Sequence, residues 1–179
     1  MSEGKERCGM KVSVLFSSLL LLVGCTTVPT GITPVGNFEI ERYLGTWYEI
    51  ARLDHRFERG LSQVSAQYSK RSDGGIDVLN RGYNSVTGEW KEALGRAYPL
   101  RPQQGSLKVT FFWPFYAGYH VFELDQQDYS YALVTGPDRD YLWLLSRTRT
   151  LDEATTQRLV ERARQLGFAT DKLIFVVQD

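Results

Sequence analysis

The chain has 179 residues, with 21 basic and 21 acidic side chains and a formal net charge of zero. Such a balance draws in neither nucleic acid nor an anionic membrane surface, which excludes polyanion binding as a basis for function. Two cysteines exclude a disulfide-rich scaffold, while four Trp, ten Tyr and nine Phe supply large apolar contact areas of fixed geometry.

The N-terminus reads as an export signal. Lys5, Arg7 and Lys11 precede an uncharged run over 12–23. That run is too short for a membrane span of ~20 residues, and a basic start with a short apolar core describes a signal peptide over 1–24. Met10, followed by Lys11, is an alternative start. Leu22-Val23-Gly24-Cys25 resembles the lipobox of bacterial lipoproteins. The resemblance implies cleavage before Cys25, acylation of that cysteine, and sorting to the outer membrane, because Thr26 and Thr27 are not aspartate. Several acyl chains on one residue anchor stably, at about 0.8 kcal/mol per buried methylene. Without the three basic and two acidic residues of the signal, 18 basic and 19 acidic side chains remain.

Residues 25–37 carry the sequence CTTVPTGITPVGN, with two Pro, two Gly and no apolar periodicity. They read as a tether between the lipid and a domain over 38–179. The chain then turns β-like. Apolar and polar residues alternate in 62–70, 105–112 and 129–135, and further strands fit 46–54, 76–83, 89–98, 119–125 and 141–147. Gly, Pro, Asp and Asn clusters separate them. Short strands at this spacing predict a sandwich or barrel. Thr150-Leu151-Asp152-Glu153 predicts a capping box with Thr150 as N-cap, opening an amphipathic helix that Gly167 ends. A short strand over 173–177 follows.

The fold class is all-β: an eight-stranded antiparallel up-and-down β-barrel with one C-terminal α-helix and a short final strand. Closure removes both sheet edges and leaves room for one small ligand. A membrane-spanning barrel is the rival. The helix, the lipobox and the lack of a lipid-facing apolar band count against it.

Gly45-x-Trp47-Tyr48, the pair Asp128-Tyr129 and Arg147 at the end of the eighth strand resemble, in order, the three signatures of the lipocalins. The runs GTWYEIAR, GYN, PFY and GPDRDYLWLLSRT are similar to the outer-membrane lipoprotein branch of that family. The resemblance implies a protein that binds a hydrophobic amphiphile and needs no cofactor. Strand direction adds to this. In an up-and-down barrel Trp47, Asp128, Tyr129 and Arg147 share one end, where Arg147 can stack on Trp47 and Gly45 permits a tight bend. These residues close the floor. The mouth is then formed by the connections 54–61, 84–88, 113–118 and 136–140, and function is sought there.

The mouth combines aromatics, Phe57, Trp113, Phe115 and Tyr116, with His55, Arg56, Arg59 and Arg139, while Tyr119 is a wall candidate. An apolar interior under a cationic rim suits a fatty acid or lysophospholipid. The cations also have acidic neighbours, Asp54, Glu58, Asp138 and Asp140, which fits solvated surface charge equally well. The bulky run over 113–116 could be a lid, a membrane contact, or the interface of a homodimer. Glu49 shares the parity of Trp47 and needs an inward partner, for which Arg81 and Arg96 are candidates.

No nucleophile elbow, phosphate loop or metal-ligand set is present, and His55 beside Asp54 has no serine partner. His120 reads as a packed or outward-facing histidine. No catalytic residue is assigned. Two other classes stay open: an envelope interaction protein docking through 113–116, and a lipid-modifying enzyme.

Overall fold

The computed structural model describes residues 26–179, so the signal segment and Cys25 lie outside the described residues. A short helix α1 (Ile40–Tyr43) leads into β1 (Gly45–Arg52), β2 (Leu61–Lys70), β3 (Ile76–Asn84), β4 (Glu89–Pro99) and β5 (Ser106–Phe112). The chain continues with β6 (Phe115–Leu124), β7 (Tyr131–Thr135), β8 (Leu142–Ser146), α2 (Glu153–Gln165) and β9 (Ile174–Phe175). Neighbouring strands pair antiparallel from β2 through β8, β8 pairs with β1, and β1 pairs back to β2. The expected eight-stranded barrel is therefore closed, with α2 and β9 outside the ring.

The closing seam holds over half its length. β1 and β2 pair from Gly45↔Tyr68 to Tyr48↔Ser65 and then part. The C-terminus fills the gap: β9 pairs with Ala51 and Arg52. Gln178 donates its amide to the carbonyls of Glu49 and Val64, at 2.7 and 2.8 Å. Backbone groups left unpaired at the split thus find partners, as buried backbone must.

Alternation divides the apolar residues between two cores. One fills the barrel, with Trp47, Tyr43, Val78, Leu107, Val121 and Val134 among its buried members. The other lies between the outer wall and α2, where Leu159, Ala163 and Phe168 meet Ile50, Leu133 and Leu144.

Several boundaries differ from the sequence reading. β6 begins at Phe115 rather than 119, because Phe112 pairs with Phe115 and only Trp113 and Pro114 form the turn. The 113–118 loop is thus a hairpin tip. β7 begins at Tyr131, since Tyr129 lies at φ 53 and cannot continue a strand. The helix N-cap is Asp152, whose Oδ1 accepts from the Thr155 backbone at 2.9 Å. Thr150 caps nothing; its carbonyl accepts from the Thr148 hydroxyl.

The 26–37 segment is packed on the barrel wall. Pro29, Ile32 and Pro34 are buried, and Val35 exchanges backbone bonds with Val121 and Gly105. Its sequence carries no strand period, so this docking was not legible as a pattern.

Candidate functional site

The barrel floor is built from aromatic rings and one guanidinium. Trp47, fully buried, donates its indole N–H to the Tyr43 carbonyl at 2.8 Å. The Arg147 guanidinium lies 4.0 Å from the Trp47 ring centroid. It also donates to the carbonyls of Thr46, Tyr129 and Arg42. Gly45 sits at φ 94, and a Cβ there would stand 3.3 Å from Arg147, so only glycine suits the position. Tyr129 is buried with Arg42 over its ring at 4.2 Å, while Asp128 is exposed in the preceding turn. The five signature residues thus gather at one end, with Asp128 on its surface.

Above the floor three tyrosine hydroxyls meet. Tyr119 is 2.7 Å from Tyr43 and 2.9 Å from Tyr68. Burial pushes all three phenols well above their usual pKa. They stay neutral, and their mutual bonds satisfy groups that water does not reach. Tyr119 is therefore an interior residue deep in the barrel, and not part of the rim.

The upper interior on the β8–β1–β2 side holds a cluster of ionisable groups. A bulge at Ile50 shifts the pairing between Glu49 and Ala51. One extra residue reverses the alternation, so Glu49 and Arg52 both point inward and meet at 2.6 Å, each almost fully buried. Arg52 also donates to the carbonyls of Glu58 and Leu61. Glu58 reaches in from the β1–β2 connection. Its Oε2 is 3.0 Å from His55 Nε2 and accepts from the Trp143 indole at 3.2 Å. Burial, followed by the Glu58 charge, raises the Glu49 pKa well above the ordinary range despite Arg52. Burial opposes the Glu58 charge as well, yet bonds from His55, Glu49 and Trp143 hold its pKa below the ordinary value. These opposite shifts favour the proton on Glu49 over Glu58. The partner of Glu49 is Arg52, and neither Arg81 nor Arg96: Arg81 pairs with Glu92 and stacks on Trp90 outside the barrel, and Arg96 is exposed.

The nine mouth and wall candidates separate into groups. Arg56, Phe57, Arg59, Trp113 and Phe115 are exposed on the two connections at the mouth, with Phe57 at 57%, Phe115 at 63% and Trp113 at 79%. Arg59 is held by Asp54 through two N–H donors, at 2.9 and 2.7 Å. Arg56 stacks on Phe57 at 5.0 Å. His55 is buried, with Tyr141 and Trp143 at centroid distances of 5.9 and 5.2 Å. Tyr116 packs on the outer wall under Lys108. Arg139 turns away from the mouth, donating to Leu166 at the end of α2 and to Thr30 of the N-terminal segment. His120, fully buried, bonds Ser106 and the Thr27 carbonyl. Burial lowers its pKa. Sequence reading missed Arg52, Glu58 and Trp143; the one available signal was that an inward Glu49 required a cation.

The barrel thus has an aromatic floor, a buried ionisable cluster on one side of its upper interior, and exposed aromatics at its mouth. A lipocalin-like domain model matches residues 38–178. The chain is a lipocalin. Among the relatives of this lipocalin, the outer membrane lipoprotein Blc of Vibrio cholerae is 54% identical over 94% of this chain and 99% of that protein. Its Escherichia coli namesake is 52% identical over 90% and 93%, and temperature-induced lipocalin-1 of Arabidopsis thaliana is 37% identical over 78% of each. The solved structure of the cockroach allergen Per a 4 superposes with TM-score 0.66 at 20% identity, over 86% of this chain and 95% of that one. At that identity the likeness concerns the fold. Lipocalins as a family bind hydrophobic ligands and are generally binding proteins rather than enzymes. Among the described residues, no three His, Cys, Asp or Glu side chains converge as a metal site.

Proposed function

We propose that this lipocalin takes the hydrocarbon tail of a fatty acid or lysophospholipid into its barrel and stores or moves it within the bacterial envelope, anchored to the outer membrane through Cys25. The observation that carries this reading is the grading of the barrel. Its interior is lined by buried apolar and aromatic side chains above the floor, and its mouth presents Phe57, Trp113 and Phe115 beside Arg56 and Arg59. A tail buried inside gains about 0.8 kcal/mol per methylene, and Arg56, stacked on Phe57, is placed to meet a carboxylate or phosphate. The similarity to outer membrane lipoproteins supports the location.

The test is a titration of the chain without residues 1–24, carrying Cys25→Ser, with oleate and with oleoyl lysophosphatidylethanolamine. Tryptophan fluorescence and calorimetry are read together. Saturable binding of either ligand, one per barrel in the low micromolar range or tighter, is expected; no binding below the high micromolar range sinks the reading.

A second reading rests on the hairpin tip itself. Phe112, Trp113 and Phe115 are exposed at the hairpin tip, which suits docking to a partner protein or a second copy. Loss of association in Trp113→Ala with unchanged lipid affinity would favour it.

A further inference from the structure

We infer that residues 26–37 form a rigid strap, and that it seats the closed end of the barrel, not the mouth, on the membrane that holds Cys25. This rests only on the anchoring part of the proposed function, not on lipid uptake.

The strap is held along its run. Arg139 binds the Thr30 carbonyl, and His120, buried in the wall, meets the Thr27 carbonyl at 3.1 Å. The chain turns back through a bond from Ile32 to Pro29 and then follows the wall, with Val35 joined to Gly105 and Val121 and Phe38 to Gln103. A free tether of this length would let the barrel range over about 20 Å, from roughly 5–6 Å times the square root of the residue number. The docked strap removes that freedom.

Its first described residues then leave the barrel beside the β4–β5 connection, on the closed end. There Thr26, Thr27 and Ile32 face Leu100, Arg101 and Gln104 across a pocket of about 360 Å³. Cys25 is one residue from this pocket, and consecutive Cα atoms are about 3.8 Å apart. An acylated Cys25 therefore brings the bilayer surface to the pocket. The lining suits that neighbour. Leu100 is 39% exposed, and Arg101 is exposed without a carboxylate partner among the described residues. An apolar side chain beside an unpaired guanidinium fits a phospholipid headgroup, whose phosphate the guanidinium meets. The mouth, at the opposite end, then opens away from the leaflet that carries the anchor.

The test uses the acylated chain in vesicles of phosphatidylethanolamine and phosphatidylglycerol. A nitroxide is placed at Pro102→Cys, beside the pocket, or at Val86→Cys, an exposed position at the mouth. Collision rates with oxygen, which partitions into lipid, and with a water-soluble nickel chelate are compared. The label at 102 is expected to favour oxygen severalfold over the label at 86, and Arg101→Glu to reduce that preference. Equal values at both sites, or a mouth label in the lipid, overturn the inference. The mass of the N-terminal peptide separates the failures. Unmodified Cys25 overturns the anchoring reading and this one together; acylated Cys25 with equal labels overturns the orientation alone.

Discussion

Glu49 and Arg52 meet at 2.6 Å inside the barrel because the strand between them carries a bulge at Ile50. Removing Arg52 leaves the Glu49 carboxyl buried without its donor, and removing Glu49 leaves the Arg52 guanidinium buried without its carboxyl. Arg52→Met is therefore expected to cost about 3–5 kcal/mol in urea unfolding, while the double variant Glu49→Leu/Arg52→Met recovers much of it. Additive losses in the two single variants and the double would show that the pair is not coupled.

The same cluster gives a pH dependence with a definite sign. The Glu49 pKa is raised in the folded chain, by burial first and the Glu58 charge second. A carboxyl of this kind contributes its full stability below the unfolded value, ~4.3, and loses it as pH rises through the folded value. Glu58, with its lowered pKa, acts the other way and loses its contribution as pH falls. Glu49→Gln keeps a neutral hydrogen-bonding side chain beside Arg52 without titrating. Its melting temperature relative to the parent chain should rise steadily as pH increases from about 4. A difference that stays constant with pH argues against a protonated Glu49.

At the floor, Arg147 combines a ring contact to Trp47 with three carbonyl bonds. Arg147→Lys keeps the charge but not the planar fork, and is expected to cost about 1–3 kcal/mol of stability. Amphiphile affinity, measured under conditions where the variant is folded, should change less than about twofold, because the site lies at the other end. A tenfold loss of affinity would place the floor within the ligand site.

Trp113 is 79% exposed, so its truncation should leave stability within about 0.5 kcal/mol. If the tip forms the rim of the ligand site, Trp113→Ala weakens lysophospholipid binding about three- to tenfold through lost apolar area. Unchanged affinity, with a shift in sedimentation toward monomer, would assign the tip to association.

The strands were legible because a wall with one face inside and one outside imposes a period of two on local sequence. The residues that interrupt that period were not. Ile50 looks like any strand residue, yet as a bulge it puts Arg52 inside, and bulges are defined only by the partner strand. The helix cap shows the same limit on a smaller scale: the pattern pointed to Thr150, while the helix starts after Asp152, whose extended backbone and Oδ1 cap the Thr155 N–H.

The sequence by itself determined the number and order of the strands, the terminal helix, and which connections share an end, because antiparallel alternation turns chain order into position. It also marked the floor, where Gly45, Trp47 and Arg147 stand in a recognisable order. Only the tertiary structure decided where the polar side chains go. Arg139 leaves the mouth for two carbonyls, His120 fastens the N-terminal strap, and Glu58 enters the barrel to meet Glu49 and His55. Apolar side chains follow a periodic wall, but a buried polar group goes wherever a hydrogen-bond partner is found, and that partner is commonly distant in the chain.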